Sequence, residues 1–180
     1  MHGGPWFGVF NWNQYFHWRN FQLLANRGYA VINCEFRGAT GLGKEFVQKS
    51  YHTWGTDMLQ DNVDVADWAV KQGIALEDKV GIWGWSYGGY AAFSGSALYP
   101  KKYACALSMY GISDLEKFAR DLNDDYWRVS VGDPSKPKEA KMLRKASAIH
   151  YVKKINTPML LTTGSKDDRI PQPQMGDMAA

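Results

Sequence analysis

Two cysteines, Cys34 and Cys105, are all the thiols in 180 residues, too few for the disulfide framework of a small secreted scaffold. Each lies in an apolar run where a small buried thiol packs well. Neither C-x-x-C nor H-E-x-x-H occurs, so no metal site and no cofactor is expected. Apolar runs stay far short of the ~20 residues of a membrane helix. The opening Met1-His2-Gly3-Gly4-Pro5 lacks the charged-then-apolar build of a signal peptide. No membrane partner is expected, and the compartment stays open with cytoplasm as the default. Neither sign of charge dominates, with 21 basic against 18 acidic residues. The denser basic stretches, Lys136 through Lys145 and Lys153-Lys154, interleave with Ala, Met and Leu at helical spacing. They read as a solvated helix face, and no nucleic-acid partner is expected. Histidine is scarce too, at four: His2, His17, His52 and His150.

What is present suits one globular domain, able to bury about 70% of its unfolded surface. Tryptophans 6, 12, 18, 54 and 127 fall near expected loops, where packing is their first duty. Apolar spacing from residue 16 to 27, closed by Gly28, predicts a helix. Ala30 to Phe36 reads as a strand buried on both faces. Its follower, Gly38 to Gly43, is a loop without the glycine spacing of a dinucleotide site. Asp57 to Lys71 carries one apolar stripe, with aspartates early and Gly73 after, and is the surest helix. Strands are expected at Val80–Trp85, Ala104–Met109 and Met159–Thr163, with a helix to about Ala97 after the first. Such alternation predicts a parallel α/β architecture. Residues 111–147 loosen into charges, prolines and short helical pieces, and form the candidate lid.

Gly84-Trp85-Ser86-Tyr87-Gly88 leaves an apolar strand and enters a helix of small residues. This is the pattern of a nucleophile elbow, with glycines where a strained turn brings helix and sheet together. A serine there needs a base, an acid to orient the base, and donors for an oxyanion. Asp167 or Asp168, after the last strand, supplies the acid at the same sheet edge, and one of the pair serves as a turn former. Asp114 is the weaker rival. The Tyr87 N–H is one oxyanion donor and the Gly3-Gly4 backbone the second. Arg169, in the acid's turn, is the candidate substrate-binding residue. The base is the gap: in this chain order a histidine follows the aspartate, and none lies between Lys166 and Ala180. His2 reads as shaping the oxyanion loop, His17 as riding the first helix, and His150 as the least implausible substitute.

Five motifs in this order, His2-Gly3-Gly4-Pro5, Gly28-Tyr29-Ala30-Val31 running into Glu35-Phe36-Arg37-Gly38, Trp54-Gly55, the elbow with Gly89-Tyr90, and Asp167-Asp168-Arg169-Ile170-Pro171, resemble the prolyl oligopeptidase family of serine peptidases. The flavour is that of its acylaminoacyl-peptidase and dipeptidyl-peptidase branches. The resemblance implies an α/β-hydrolase fold, a mostly parallel sheet with helices on both faces. It implies Ser86 as nucleophile, Asp167 as acid, Gly4 and Tyr87 as oxyanion donors, and hydrolysis of short peptides through an acyl-enzyme. It also implies a β-propeller and further strands ahead of residue 1, and a histidine beyond residue 180. Residues 1–180 are therefore expected to be a partial catalytic domain, incomplete at both ends, inert without its missing segments and open to homo-oligomer formation. A carboxylesterase with the same apparatus is the alternative, disfavoured because esterases of this kind tend to open H-G-G-G.

Overall fold

The computed structural model describes residues 1–8, 18–122 and 124–179. In chain order the elements are α1 (Trp18–Ala25), α2 (Lys44–Gln48), α3 (Asp57–Lys71), β1 (Gly81–Trp85), α4 (Tyr87–Leu98), β2 (Cys105–Met109), α5 (Leu115–Leu122), α6 (Asp125–Ser130), α7 (Pro137–Ala146), β3 (Met159–Thr162) and α8 (Pro173–Ala179). A 3-10 segment at Ala148–Lys154 precedes β3. The three strands are parallel in the order β1-β2-β3, with Trp85 opposite Met109 and Met109 opposite Thr162. All three therefore end at one level, and whatever follows them meets at one edge.

Helix α4 crosses from β1 to β2 and is buried from Tyr87 through Ala97. A helix that is apolar or small on every side has no solvated face, and its composition requires this position. Its small residues permit close approach: a β-carbon on Gly89 would stand 2.7 Å from Gly111 Cα and 2.8 Å from Met109 O. Helix α3 has the expected bounds, and Gly73 adopts the left-handed φ of 69° beyond its end. Arg37 anchors the preceding loop to it, donating from Nε and Nη2 to Asp61 (2.8 and 2.7 Å) and from Nη1 to Asp57 (2.8 Å). The candidate lid folds into α5, α6 and α7. Leu115, Phe118, Val131 and Leu143 of this stretch are buried in the main core, and the Ala146 carbonyl accepts from Tyr90 Oη (3.0 Å) and Ser94 Oγ (3.3 Å) of α4. Lys138, Lys141 and Lys145 occupy the exposed face of α7. Among the described residues no helix is long and apolar enough to cross a membrane, and no His/Cys/Asp/Glu group has metal-binding geometry.

Two expectations are corrected. Ala30–Phe36 belongs to no strand, and Ile32 is 40% exposed. The segment faces β1 across a cavity of about 630 Å³ whose walls include Val31, Ile32, Ile82, Trp83 and Met1. With no strand alongside among the described residues, its apolar residues keep the composition of a buried strand but find no ladder to join. Cys105 is exposed where a buried thiol was expected, because it opens β2 beside the same cavity; both cysteines are free. Helix α1 occupies the heart of the expected 16–27 segment, while Trp12 and His17 lie outside the described residues.

Candidate active site

One residue, Ser86, makes the whole turn from β1 into α4, with φ 55° and ψ −117°. A non-glycine residue held there stores on the order of 1–3 kcal/mol of backbone strain, so the surroundings must fix it. Its N–H donates to Met109 O (2.9 Å) and its carbonyl accepts from Tyr90 N–H (2.9 Å). Close packing completes the clamp. A β-carbon on Gly84 would meet the Gly88 backbone at 2.5–2.6 Å, and one on Gly88 would stand 3.0 Å from His2 O. Ser86 itself is half-buried, and its hydroxyl has no hydrogen-bond partner among the described residues.

The opening loop lies directly against this turn. A β-carbon on Gly3 would be 3.1 Å from Ser86 Cβ and 3.0 Å from Trp85 Nε1, so glycine is what lets main chain reach the serine. Gly4 is exposed at φ 120°. Tyr87 is the first residue of α4, so its N–H has no intrahelical acceptor. The Tyr87 ring is fully buried and meets Trp54 edge-on (4.7 Å, 83°). Burial, followed by the neighbouring Tyr90, holds its phenol well above the usual tyrosine value, which leaves it a neutral packing group. Beyond Pro5, Trp6 packs edge-on against Tyr126 (4.7 Å) and Trp127 (5.8 Å), forming an aromatic wall beside the loop.

Across the sheet edge, Asp167 follows β3. Its Oδ1 accepts the N–H groups of Arg169 (3.0 Å) and Ile170 (2.9 Å), leaving Oδ2 for another donor. Asp167 is half-buried and Asp168 exposed, so the turn former is the candidate acid itself. The strands leading into Ser86 and Asp167 are two apart in the sheet, about 10 Å, and end in register at Trp85, Met109 and Thr162, with Asp167 five residues beyond β3. Asp114 is committed elsewhere: its carboxylate caps α5 by accepting Lys117 N–H (3.0 Å). Arg169 is exposed and makes no ion pair among the described residues.

None of the described histidines takes the place of the base. His2 is fully buried under the opening loop, while His52 and His150 are exposed on a turn and on the 3-10 segment. His2 Nδ1–H donates to Gly3 O (2.7 Å), and its Nε2 lies 3.5 Å from Glu35 Oε2. Glu35 entered the sequence reading only as part of a motif, and its contact with His2 was missed. The only signal was its place one residue before Phe36-Arg37-Gly38.

The model of the Prolyl oligopeptidase family matches residues 14–180. Dipeptidyl aminopeptidase BIII of Pseudoxanthomonas mexicana is 36% identical over 183 residues, covering 96% of this chain and 25% of that protein. The acylaminoacyl peptidase of Pyrococcus horikoshii superposes with a TM-score of 0.85 at 26% identity, over 99% of this chain and 29% of its own. A puromycin-hydrolyzing peptidase of Mycobacterium tuberculosis gives 0.87 at 26%, over 99% and 26%. The chain thus spans about a quarter of the length of the curated relatives it matches. Its architecture is that of an α/β-hydrolase, and the chain belongs to the prolyl oligopeptidase family.

Proposed function

We propose that residues 1–180 carry the nucleophile, oxyanion donors and acid of a serine peptidase acting on short peptides, with the base supplied by a histidine outside this sequence. The observation that carries this reading is Ser86, held at φ 55° between β1 and α4 with its hydroxyl unengaged and the Gly3 backbone pressed against it. Ser86 Oγ attacks the scissile carbonyl while the base takes its proton, and the tetrahedral oxyanion lies between the N–H groups of Gly4 and Tyr87. The base returns that proton to the leaving amine, and the acyl-enzyme is then hydrolysed by water. Asp167 Oδ2, with Oδ1 already held by the turn, orients the imidazole. Arg169 stands free to meet a substrate carboxylate. The α5–α7 stretch serves as a lid beside the serine turn.

The test is a fluorophosphonate. A parent polypeptide containing these residues is labelled at Ser86, and hydrolyses an aminoacyl arylamide in a way abolished by Ser86→Ala. Residues 1–180 alone turn over about a million-fold more slowly, because triad members act as a unit. Rapid cleavage by residues 1–180 that is lost in Ser86→Ala sinks the outside-base reading. An aryl ester consumed while the matching amide is untouched makes the protein an esterase instead.

A further inference from the structure

Between Asp61 and the opening loop runs a continuous set of contacts that ends on a candidate oxyanion donor. Arg37 is forked onto Asp61 on α3, and its own N–H donates to Asp61 Oδ2 as well (2.9 Å). That fixes the two residues before it. Phe36, 1% exposed, stacks on the His2 imidazole (4.3 Å between centroids, 19° between planes). Glu35 turns its carboxylate to the outer nitrogen of the same ring, Nε2, at 3.5 Å. Phe7 closes the other side edge-on (6.2 Å, 60°). The ring is thus held in plane by Phe36 and in rotation by Glu35.

The inner nitrogen does the aiming. Nδ1 faces Gly3 O at 2.7 Å, and since a carbonyl only accepts, Nδ1 carries a proton. Gly3 O belongs to the same peptide unit as the Gly4 N–H. Only the Gly4-Pro5 bond is cis among the described residues, so the Gly3-Gly4 unit is trans and planar, and its N–H points opposite to its C=O. Holding Gly3 O inward therefore turns the Gly4 N–H outward. Nε2 and the Glu35 carboxylate face each other as buried atoms at ion-pair distance, 3.5 Å.

We propose that Glu35 is a positioning residue, which through the buried His2 imidazole and the Gly3 carbonyl fixes the direction of the Gly4 oxyanion donor. The inference rests on the role given to Gly4 above, and its test separates the two. Protein labelled with nitrogen-15 in histidine and glycine shows by NMR whether His2 Nδ1 carries its proton and where the Gly4 amide resonates. Glu35→Gln shifts the Gly4 amide and slows fluorophosphonate acylation of Ser86 in the parent enzyme by about tenfold or more, a fraction of what a lost oxyanion donor costs. Affinity for the reversibly bound reagent is unchanged, and Glu35→Asp recovers part of the rate. A His2 Nδ1 without a proton, or a Gly4 amide and acylation rate unmoved by Glu35→Gln, overturns the relay. Should Glu35→Gln not fold, the wild-type tautomer and Glu35→Asp give the same decision. If wild type itself does not acylate, the peptidase reading fails, while the NMR result still decides whether Glu35 directs the loop.

Discussion

Replacing Gly89 by alanine tests how tightly the serine turn is clamped. The new methyl would stand 2.7 Å from Gly111 Cα, 2.8 Å from Met109 O and 2.9 Å from Gly111 N, where ordinary contact begins at 3.4 Å. The shortfall is 3.4 − 2.7 = 0.7 Å, and no side chain can rotate to relieve it, because all three obstacles are main chain. Overpacking of this kind costs about 3 kcal/mol at the upper end. Against it stands a gain of about 1 kcal/mol from alanine over glycine in a helix. The net loss is about 2 kcal/mol, or a fall in Tm of about 4–8 °C for a chain of this size. Differential scanning calorimetry reads it directly. Gly176→Ala in α8 is the control, since nothing lies within 4 Å of its added methyl, and it leaves Tm level or raises it. The substitution also displaces Met109 O, the acceptor that holds the Ser86 N–H, so acylation of Ser86 in the parent enzyme slows alongside. A Gly89→Ala protein as stable as wild type refutes the argument that this helix is pressed against the end of β2.

Arg37→Ala costs about 1 kcal/mol in urea unfolding, shrinking as salt is added, because the pair with Asp61 is partly exposed; Arg37→Lys recovers less than half, lacking the fork. Gln174→Leu costs about 2 kcal/mol or more, since its buried Oε1 accepts the backbone N–H groups of Ser113 and Asp114 (3.0 and 2.8 Å), which would lose their acceptor. Burial pushes the Cys34 thiol from 9.0 up to about 11, so at pH 8 iodoacetamide modifies it about 100-fold more slowly in the folded protein than in urea, as mass spectrometry of the two cysteines shows. The folded state keeps that proton up to about 11 while the unfolded chain releases it near 9. This thiol's contribution to stability is therefore complete below pH 9 and lost as pH rises through 11.

The elbow was legible because its constraint is local: a strand, a serine and small residues in sequence specify the turn that Gly84, Gly88 and Gly89 then realise. Helix α3 was legible for the same reason, its stripe and Gly73 being contiguous. Ala30–Phe36 misled because strand character is completed by a neighbour, and a run rich in Val, Ile and Phe carries no information about whether one lies alongside. Helix α2, Lys44–Gln48, is too short for periodicity to show. Glu35 stayed hidden because its meaning is its contact with His2, 33 positions earlier. Asp167 and Asp168 could not be ranked by residue type, and the two turn N–H groups on Asp167 show which of them forms the turn.

The open flank of β1 also gives the molecule a social chemistry. Among the described residues, one side of that strand looks across an apolar trough instead of onto another strand. Any unstructured polypeptide of apolar, β-prone sequence is a rival for that berth, and so is a second copy's own Ala30–Phe36. Residues 1–180 alone are therefore expected to turn cloudy more steeply than in proportion to their concentration.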